Sequence, residues 1–268
     1  MMESANKIFG NIGRRVLTML QQAGEVQKLS SQAFYWTFIA PFRGKKINWT
    51  NTFDQKVKIG VESLPIVCLI SFFVGLIIAM QSAYQLKQFG ATIYVANLVA
   101  VSLIRELAPL LTAIIVTGRS GSAITAEIGT MKVSEEIDAL KTMGLNPVKY
   151  LVVPRALAMI IMLPCLTVIA DMIGIFGGYV ISISTLSITS VRYIDQTISA
   201  LVFTDLMSGL VKSFFFAIII AVNGCYQGFM VSGGAEGVGK FTTRSVVVSI
   251  FLIIAADVLF TALFFSAF

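Results

Sequence analysis

The sequence predicts an all-α membrane protein that crosses the bilayer several times. Of its 268 residues, 56% are hydrophobic and only 13% are charged, whereas about a quarter of a soluble domain is charged. Apolar runs of about twenty residues recur along the chain, which is the length that an α-helix needs to cross a bilayer. The mean hydropathy is +0.85. We therefore expect one membrane domain over residues 1–268, with the spanning bundle in 60–268.

Composition excludes several classes of protein. The chain has no histidine, so it lacks the usual acid–base catalyst and the commonest metal ligand. Cys68, Cys165 and Cys225 lie far apart within apolar runs, which is typical of small buried side chains and not of a metal site. The net charge of +6 comes from basic residues between the apolar runs, so we expect no nucleic-acid partner. We expect no metal and no cofactor in this chain.

The N-terminal segment, residues 4–40, predicts an amphipathic helix that lies in the membrane interface. Apolar residues recur at helical spacing from Ile8 to Val26, with Lys7, Arg14 and Lys28 among them. The aromatic residues within 34–38 suit the level of the lipid headgroups. A helix that packs on a soluble partner is the alternative.

Five spans follow, at about 60–80, 94–117, 150–185, 200–225 and 245–267. The third exceeds the thickness of a bilayer and contains Pro164, so it should tilt or kink. The step from Ser71 to Gly75 in the first span is of the small-xxx-small type that allows close helix packing. The small residues of 118–122 predict a hinge after the second span.

The distribution of basic residues predicts the orientation. Lysines and arginines concentrate before the first span, between the second and third, and between the fourth and fifth. Loops that carry such an excess face the cytoplasm. The N-terminus is therefore expected in the cytoplasm and the C-terminus on the outer side of the membrane.

The loop between the second and third spans, 133–147, predicts a short helix of about ten residues. Ser134 is placed to cap it, and two glutamates follow in its first turn. Ile137 and Leu140, extended by Met143, form a small apolar face, and Gly144 is a suitable stop. The helix is either a docking element for another protein or an ordinary capped loop.

Two stretches carry a resemblance to a known family. They are RELAPLLTAIIVTGRSGSAITAEIGTMKVSEEIDAL, from Arg105 to Leu140, and the later VSGGAEGVGKFTTRSVV. Both resemble the MlaE/YrbE permeases of ABC transporters, which are membrane subunits of systems that move phospholipids between bacterial membranes. The resemblance extends over essentially the whole chain. It implies that the loop helix is the coupling helix that seats in an ATPase subunit. That role would fall on Glu135, Glu136, Ile137, Asp138, Ala139, Leu140 and Gly144.

The resemblance also implies a set of partners. It implies a homodimer that forms a lipid pocket at its two-fold axis, cytoplasmic ATPase subunits that bind ATP and magnesium, and an outer-side MCE-domain protein. A small cytoplasmic accessory protein is a further expectation. The implied function is the maintenance of lipid asymmetry between the inner and outer membranes, with this chain as a non-catalytic permease. The implied location is the bacterial inner membrane, with the C-terminus in the periplasm.

Five ionisable residues lie at the depth of the bilayer. A charge there costs about 2.5–3.5 kcal/mol and normally faces a bundle interior or a wet cavity. Successive residues of a helix point about 100° apart, so Arg105 and Glu106 need different partners, and Glu106 with Lys212 is one expected pair. We assign Asp171 and Asp257 to structural ion pairs. For the other three, structural pairing and contact with a lipid phosphate both stay open.

The first span and its exit provide candidates for the apolar wall of a lipid pocket. These are Leu76, Ile77, Met80, Tyr84 and Leu86, near the outer surface. Ordinary lipid-facing and interface residues would show the same pattern, and the resemblance to permeases with an outward-open pocket favours the pocket.

One motif is a false signal for nucleotide binding. Residues 234–240 match G-x-x-x-x-G-K, but Phe241 stands where a phosphate-binding loop has Ser or Thr, and a membrane span precedes it. We expect a glycine-rich turn.

Alternative functions are an intramembrane lipid-modifying enzyme or an ion-coupled carrier that uses Glu106, Asp171 and Asp257. The lack of histidine and of visible inverted repeats disfavours them.

Overall fold

The computed structural model describes residues 24–39, 49–186 and 188–267. The predicted interfacial helix is covered only from residue 24, so its part in 4–23 lies outside the described residues. Within these ranges the chain forms helices that we number in order. They are α1 (24–34, continued as a π-helix over Tyr35–Ile39), α2 (Trp49–Ile59), α3 (Leu64–Gln88), α4 (Thr92–Val133), α5 (Glu136–Thr142), α6 (Val148–Ser184), α7 (Ser190–Ala200), α8 (Phe203–Phe229) and α9 (Gly234–Ala267).

Five helices are long and apolar enough to cross a membrane, by length and composition. They are α3, which continues α2, and then α4, α6, α8 and α9. This confirms the predicted all-α polytopic fold. Because successive spans alternate in direction, α5 lies at one end of the bundle and α7 at the other. We call these the α5 end and the α7 end.

The bundle is organised around α6 and α8. α6 packs against α3 and α8, and α8 packs in turn against α4 and α9. Small residues allow α3 and α6 to approach closely. A Cβ added to Gly75 would overlap the backbone carbonyl of Gly174, and one added to Gly177 would overlap that of Phe72. The small-residue step predicted for the first span therefore is a site of close helix packing.

The expected hinge at 118–122 is not a break in the helix. Residues Thr117–Gly121 form a π-turn inside the continuous helix α4. The hydroxyl of Ser122 donates to the carbonyl of Gly118 at 2.5 Å, one turn earlier. Arg119 donates to the carbonyl of Lys58 at 2.9 Å, which ties the turn to α2. These contacts hold the small residues in a helical path.

The start of the fifth span differs from its prediction, and one helix was not predicted. The fifth span was expected from about 245, but α9 begins at Gly234, so most of the expected glycine-rich turn is helical. Within residues 229–240, only Gly233 and Gly234 have positive φ, at +90° and +70°, and they make the turn. The sequence pattern also missed α7, a short helix with Tyr193 buried against the bundle.

Candidate functional site

A buried lysine at the centre of the bundle joins three helices. The side chain of Lys212, on α8, is 1% exposed. Its Nζ donates to Oε2 of Glu106, on α4, at 2.5 Å and lies 3.0 Å from Oδ1 of Asp257, on α9. The predicted pairing of Glu106 with Lys212 is confirmed, and so is the assignment of Asp257 to an ion pair. One positive charge thus faces two carboxylates.

A threonine that the sequence pattern missed completes this cluster. The Nζ of Lys212 donates to Oγ1 of Thr261 at 2.8 Å, and that hydroxyl lies 3.1 Å from Oε1 of Glu106 as a donor. Thr261 lies four residues after Asp257, and residues at this spacing share a helix face. That spacing was the available signal. We call Glu106, Lys212, Asp257 and Thr261 the lysine cluster.

Arg105 has a different partner, as the helical geometry predicted. Its Nε lies 2.8 Å from Oδ1 of Asp205, in the first turn of α8. The other carboxylate oxygen of Asp205 accepts from the backbone N–H of Val202 at 3.2 Å. Sequence reasoning missed Asp205 because it lies at a helix start, where an aspartate reads as a cap. The Arg105 side chain is 45% exposed, so part of it faces away from the chain.

Asp171 does not join these charges, and its assignment to an ion pair is wrong for the described residues. It is 5% exposed, and its Oδ1 has no hydrogen-bond partner in the part of the chain that the structure describes. It lies on α6 beside Ala170, which packs with Val67 and Ala108 in an apolar cluster. The residues that α3 and α4 contribute to that cluster, Val67 and Ala108, offer the carboxylate no hydrogen-bond partner.

The candidate pocket wall on α3 divides between two faces. Ile77, Met80 and Tyr84 are well exposed and recur at helical spacing. Leu86 instead packs against an apolar cluster within the chain, and Leu76 is half-buried on the side that meets α6. The five residues therefore do not share one exposed surface, since Leu76 and Leu86 are half-buried. We call the exposed trio the α3 stripe.

The predicted loop helix exists, but it is shorter and begins differently. α5 spans Glu136–Thr142, and Glu135 precedes it with a φ of +60°. Ser134 is not its cap, because the Ser134 hydroxyl donates backwards to the carbonyl of Thr130 at 3.0 Å. The predicted stop at Gly144 is confirmed by its φ of +75°. α5 is thus a short helix of seven residues with defined ends.

The apolar face of α5 points into the chain and not outward. Ile137 is 2% exposed and Leu140 is 9% exposed, and both belong to the main core cluster. The expectation of an apolar docking ridge is wrong for these two residues, because the ends of α4, α6 and α8 supply a core to bury them. The exposed members of the candidate coupling set are Glu135, Glu136, Asp138, Ala139 and Gly144.

Ion pairs fix the helices around α5. Arg155, which is buried on α6, pairs with Glu127 on α4 at 2.8 Å, and Lys58 on α2 lies 3.4 Å from the same carboxylate. On α5 itself, a hydrogen bond from Lys141 and the nearby charge of Lys132 lower the pKa of Asp138. The α5 end is therefore held together by charges from four helices.

The start of α6 is capped from the α5 loop. The side-chain oxygen of Asn146 accepts from the backbone N–H of Val148 at 2.9 Å. The sequence pattern treated Asn146 and Pro147 only as a stop, whereas they also begin the next helix. Residues 134–135 connect α5 to α4, and residues 143–147 connect it to α6.

The fold and these sites define a class: a polytopic α-helical membrane protein with a short helix fixed between its second and third spans. The family model "Permease MlaE" matches residues 52–263, and the chain belongs to this family of membrane permeases.

Similar proteins agree with this membership. A probable ABC transporter permease protein of Rickettsia felis is 39% identical over 259 residues, covering 97% of this chain and 98% of the relative. One from Synechocystis is 40% identical over 237 residues, covering 87% and 90%. The chloroplastic protein TRIGALACTOSYLDIACYLGLYCEROL 1 of Arabidopsis thaliana is 37% identical over 221 residues, covering 82% and 63%. The names of the bacterial relatives are those of transport subunits.

Proposed function

We propose that this chain is the membrane subunit of an ABC-type phospholipid transporter that maintains lipid asymmetry between bacterial inner and outer membranes. In this proposal it works as a homodimer and is driven by a separate ATPase, which holds ATP and magnesium. The observation that carries the proposal is the construction of α5. Its apolar residues are locked into the core while its acidic residues face away from the chain.

This construction suits the transmission of force. A helix held only by flexible loops would move without moving the bundle. Ile137 and Leu140 instead fix α5 to the core, and the short links join it to α4 and α6. A push on Glu135 or Glu136 from a closing ATPase would therefore tilt both spans together. α4 also carries Arg105, so its displacement reaches the depth of the bilayer.

The lipid side of the proposal rests on the outer half of the bundle. The α3 stripe offers an apolar surface for acyl chains, and the partly exposed Arg105 suits a phosphate. The name of the Arabidopsis relative, which is that of a galactolipid, supports a lipid substrate. The lysine cluster would hold α4, α8 and α9 together beneath this surface.

The proposed partners of this chain rest on the exposed apolar residues of α9 and on family membership. α9 has many exposed apolar residues, among them Phe251, Val258 and Leu259, and a second copy of the chain would cover them. We propose the orientation with α5 and the N-terminus in the cytoplasm and the C-terminus in the periplasm of the inner membrane. An outer-side MCE-domain protein and a small cytoplasmic accessory protein would complete the assembly.

The test reverses the exposed charge of α5. The double variant Glu135→Lys/Glu136→Lys should fold normally, because both side chains are exposed, but should lose the co-purifying ATPase and lipid transfer between vesicles. Glu236→Lys, an exposed glutamate in the first turn of α9, is the matched control. Full ATPase recruitment and lipid transfer by the double variant would refute the coupling role of α5.

A further inference from the structure

A cavity at the α5 end is separate from the α3 stripe and from the lysine cluster. Its volume is about 510 Å³, and it lies between α1, α5, the start of α6 and the end of α8. Apolar side chains form much of its wall, among them Leu29, Phe229 and Met230. Its polar lining includes three lysines and one glutamate, so its formal charge is positive. An apolar wall with a basic rim suits an anionic amphiphile.

The lysines come from three different helices. They are Lys28 on α1, Lys132 at the end of α4 and Lys141 on α5. Asp138 holds two of them in place, with Oδ1 2.7 Å from Lys141 and Oδ2 3.9 Å from Lys132. One carboxylate between two ammonium groups leaves an excess of positive charge on that side of the cavity.

The acidic group of the lining is hydrogen-bonded within the chain. Glu25, on α1, accepts a hydrogen bond from the hydroxyl of Tyr226 at 3.1 Å. The backbone N–H of Val148, at the start of α6, donates to Asn146. An anion in the cavity would therefore be bound by the lysine ammonium groups and not by a helix terminus.

Neighbouring aromatic residues place the cavity at the level of lipid headgroups. Trp36 lies about one turn beyond the lining residue Gln32 on the α1 segment, and its ring packs edge-on against that of Tyr35. The Nζ of Lys149 lies 5.2 Å from the centre of the Trp36 ring. Tryptophan, tyrosine and lysine are typical of the boundary between headgroups and water.

We propose that this cavity binds the phosphate headgroup of a glycerophospholipid of the adjacent leaflet, with the phosphate at Lys28, Lys132 and Lys141 and the glycerol against Phe229. Basic pockets between membrane helices at this level are typical headgroup sites. The bound lipid would bridge α1 to α5, so it would brace the helix to which we assign ATPase coupling. The binding itself does not depend on the proposed function, since it needs neither an ATPase nor transport.

The experiment labels the cavity directly. The full chain is placed in vesicles of phosphatidylethanolamine and phosphatidylglycerol that contain a phosphatidylglycerol analogue with a photoreactive group near its glycerol. After illumination, mass spectrometry should find the label on the peptide that contains Phe229 and Met230. The variant Lys28→Glu/Lys141→Glu should lower this labelling about tenfold or more, because reversing two lysines removes the attraction for the phosphate.

Controls separate the site from other lipid contacts. Lys28→Arg/Lys141→Arg should retain the labelling, and Lys240→Glu, at an exposed lysine of α9, should leave it unchanged. Labelling that is equal in the charge-reversed variant and in Lys240→Glu would overturn the proposal. Loss of labelling on addition of inorganic phosphate would overturn the lipid source and indicate a soluble phosphate compound. If the unmodified chain is labelled in the cavity but its transporter transfers no lipid, that result would count against the proposed function alone.

Discussion

The substitution Lys212→Met tests whether the lysine cluster holds the bundle together. Methionine fills similar space but leaves Glu106 and Asp257 without their cation. Removal of one partner from a buried ion pair costs about 3–5 kcal/mol. The Glu106 side chain is 38% exposed, so water can solvate part of its charge, and we expect the lower end, about 3 kcal/mol. That free energy corresponds to roughly a hundredfold shift in the folding equilibrium.

The assay is equilibrium unfolding in mixed micelles, followed by circular dichroism. The control restores charge balance: Lys212→Met combined with Glu106→Gln and Asp257→Asn should recover most of the lost free energy, because no uncompensated charge remains. A loss below about 0.5 kcal/mol in Lys212→Met, the size of an ordinary surface substitution, would refute the structural role of the cluster. Failure of the triple variant to recover would show that packing, and not charge, is responsible.

Three further predictions concern other helix contacts. Arg105→Ala should destabilise the fold by about 1–3 kcal/mol, because Asp205 is buried and loses its cation. Gly75→Leu should cost at least about 1–3 kcal/mol or prevent folding, because the side chain would enter the backbone of Gly174. Leu140→Asp should disrupt the fold at the α5 end, because it places a charge in the core. The free energy of unfolding in mixed micelles measures each of these effects.

Each of these predictions has a contrasting variant. Arg105→Lys keeps a cation near Asp205 and should cost less than the alanine. Phe73→Leu, at an exposed position on the same helix as Gly75, should leave stability unchanged. Met143→Asp, at a residue 65% exposed, should fold normally where Leu140→Asp does not. Normal folding of Leu140→Asp would mean that this leucine faces outward, contrary to the structure.

The lipid-facing architecture could be predicted from the sequence because the bilayer imposes a length and a composition on every span. Each of the five predicted spans coincides with one long apolar helix, although α4 and α9 extend well beyond the predicted bounds, and the third continues through Pro164. The pairing of Glu106 with Lys212 followed from the high cost of a lone charge at that depth. These features depend on the solvent around the chain and not on its detailed packing.

The burial of the apolar face of α5 could not be predicted in the same way. Helical spacing showed that Ile137 and Leu140 share a face, but periodicity does not tell whether an apolar face meets this chain or another protein. The ends of α4, α6 and α8 converge on that face and bury it. The exposed acidic residues are therefore the surface left for a partner.

The sequence by itself determined the number of spans, the short helix between the second and third, and the need of most buried charges for partners. Only the tertiary structure decided that Arg105 meets Asp205, that Thr261 joins Lys212, and that Asp171 stays apart from them. The physical reason is that span length and desolvation cost are local properties of the chain. The choice among partners depends on which helices pack side by side.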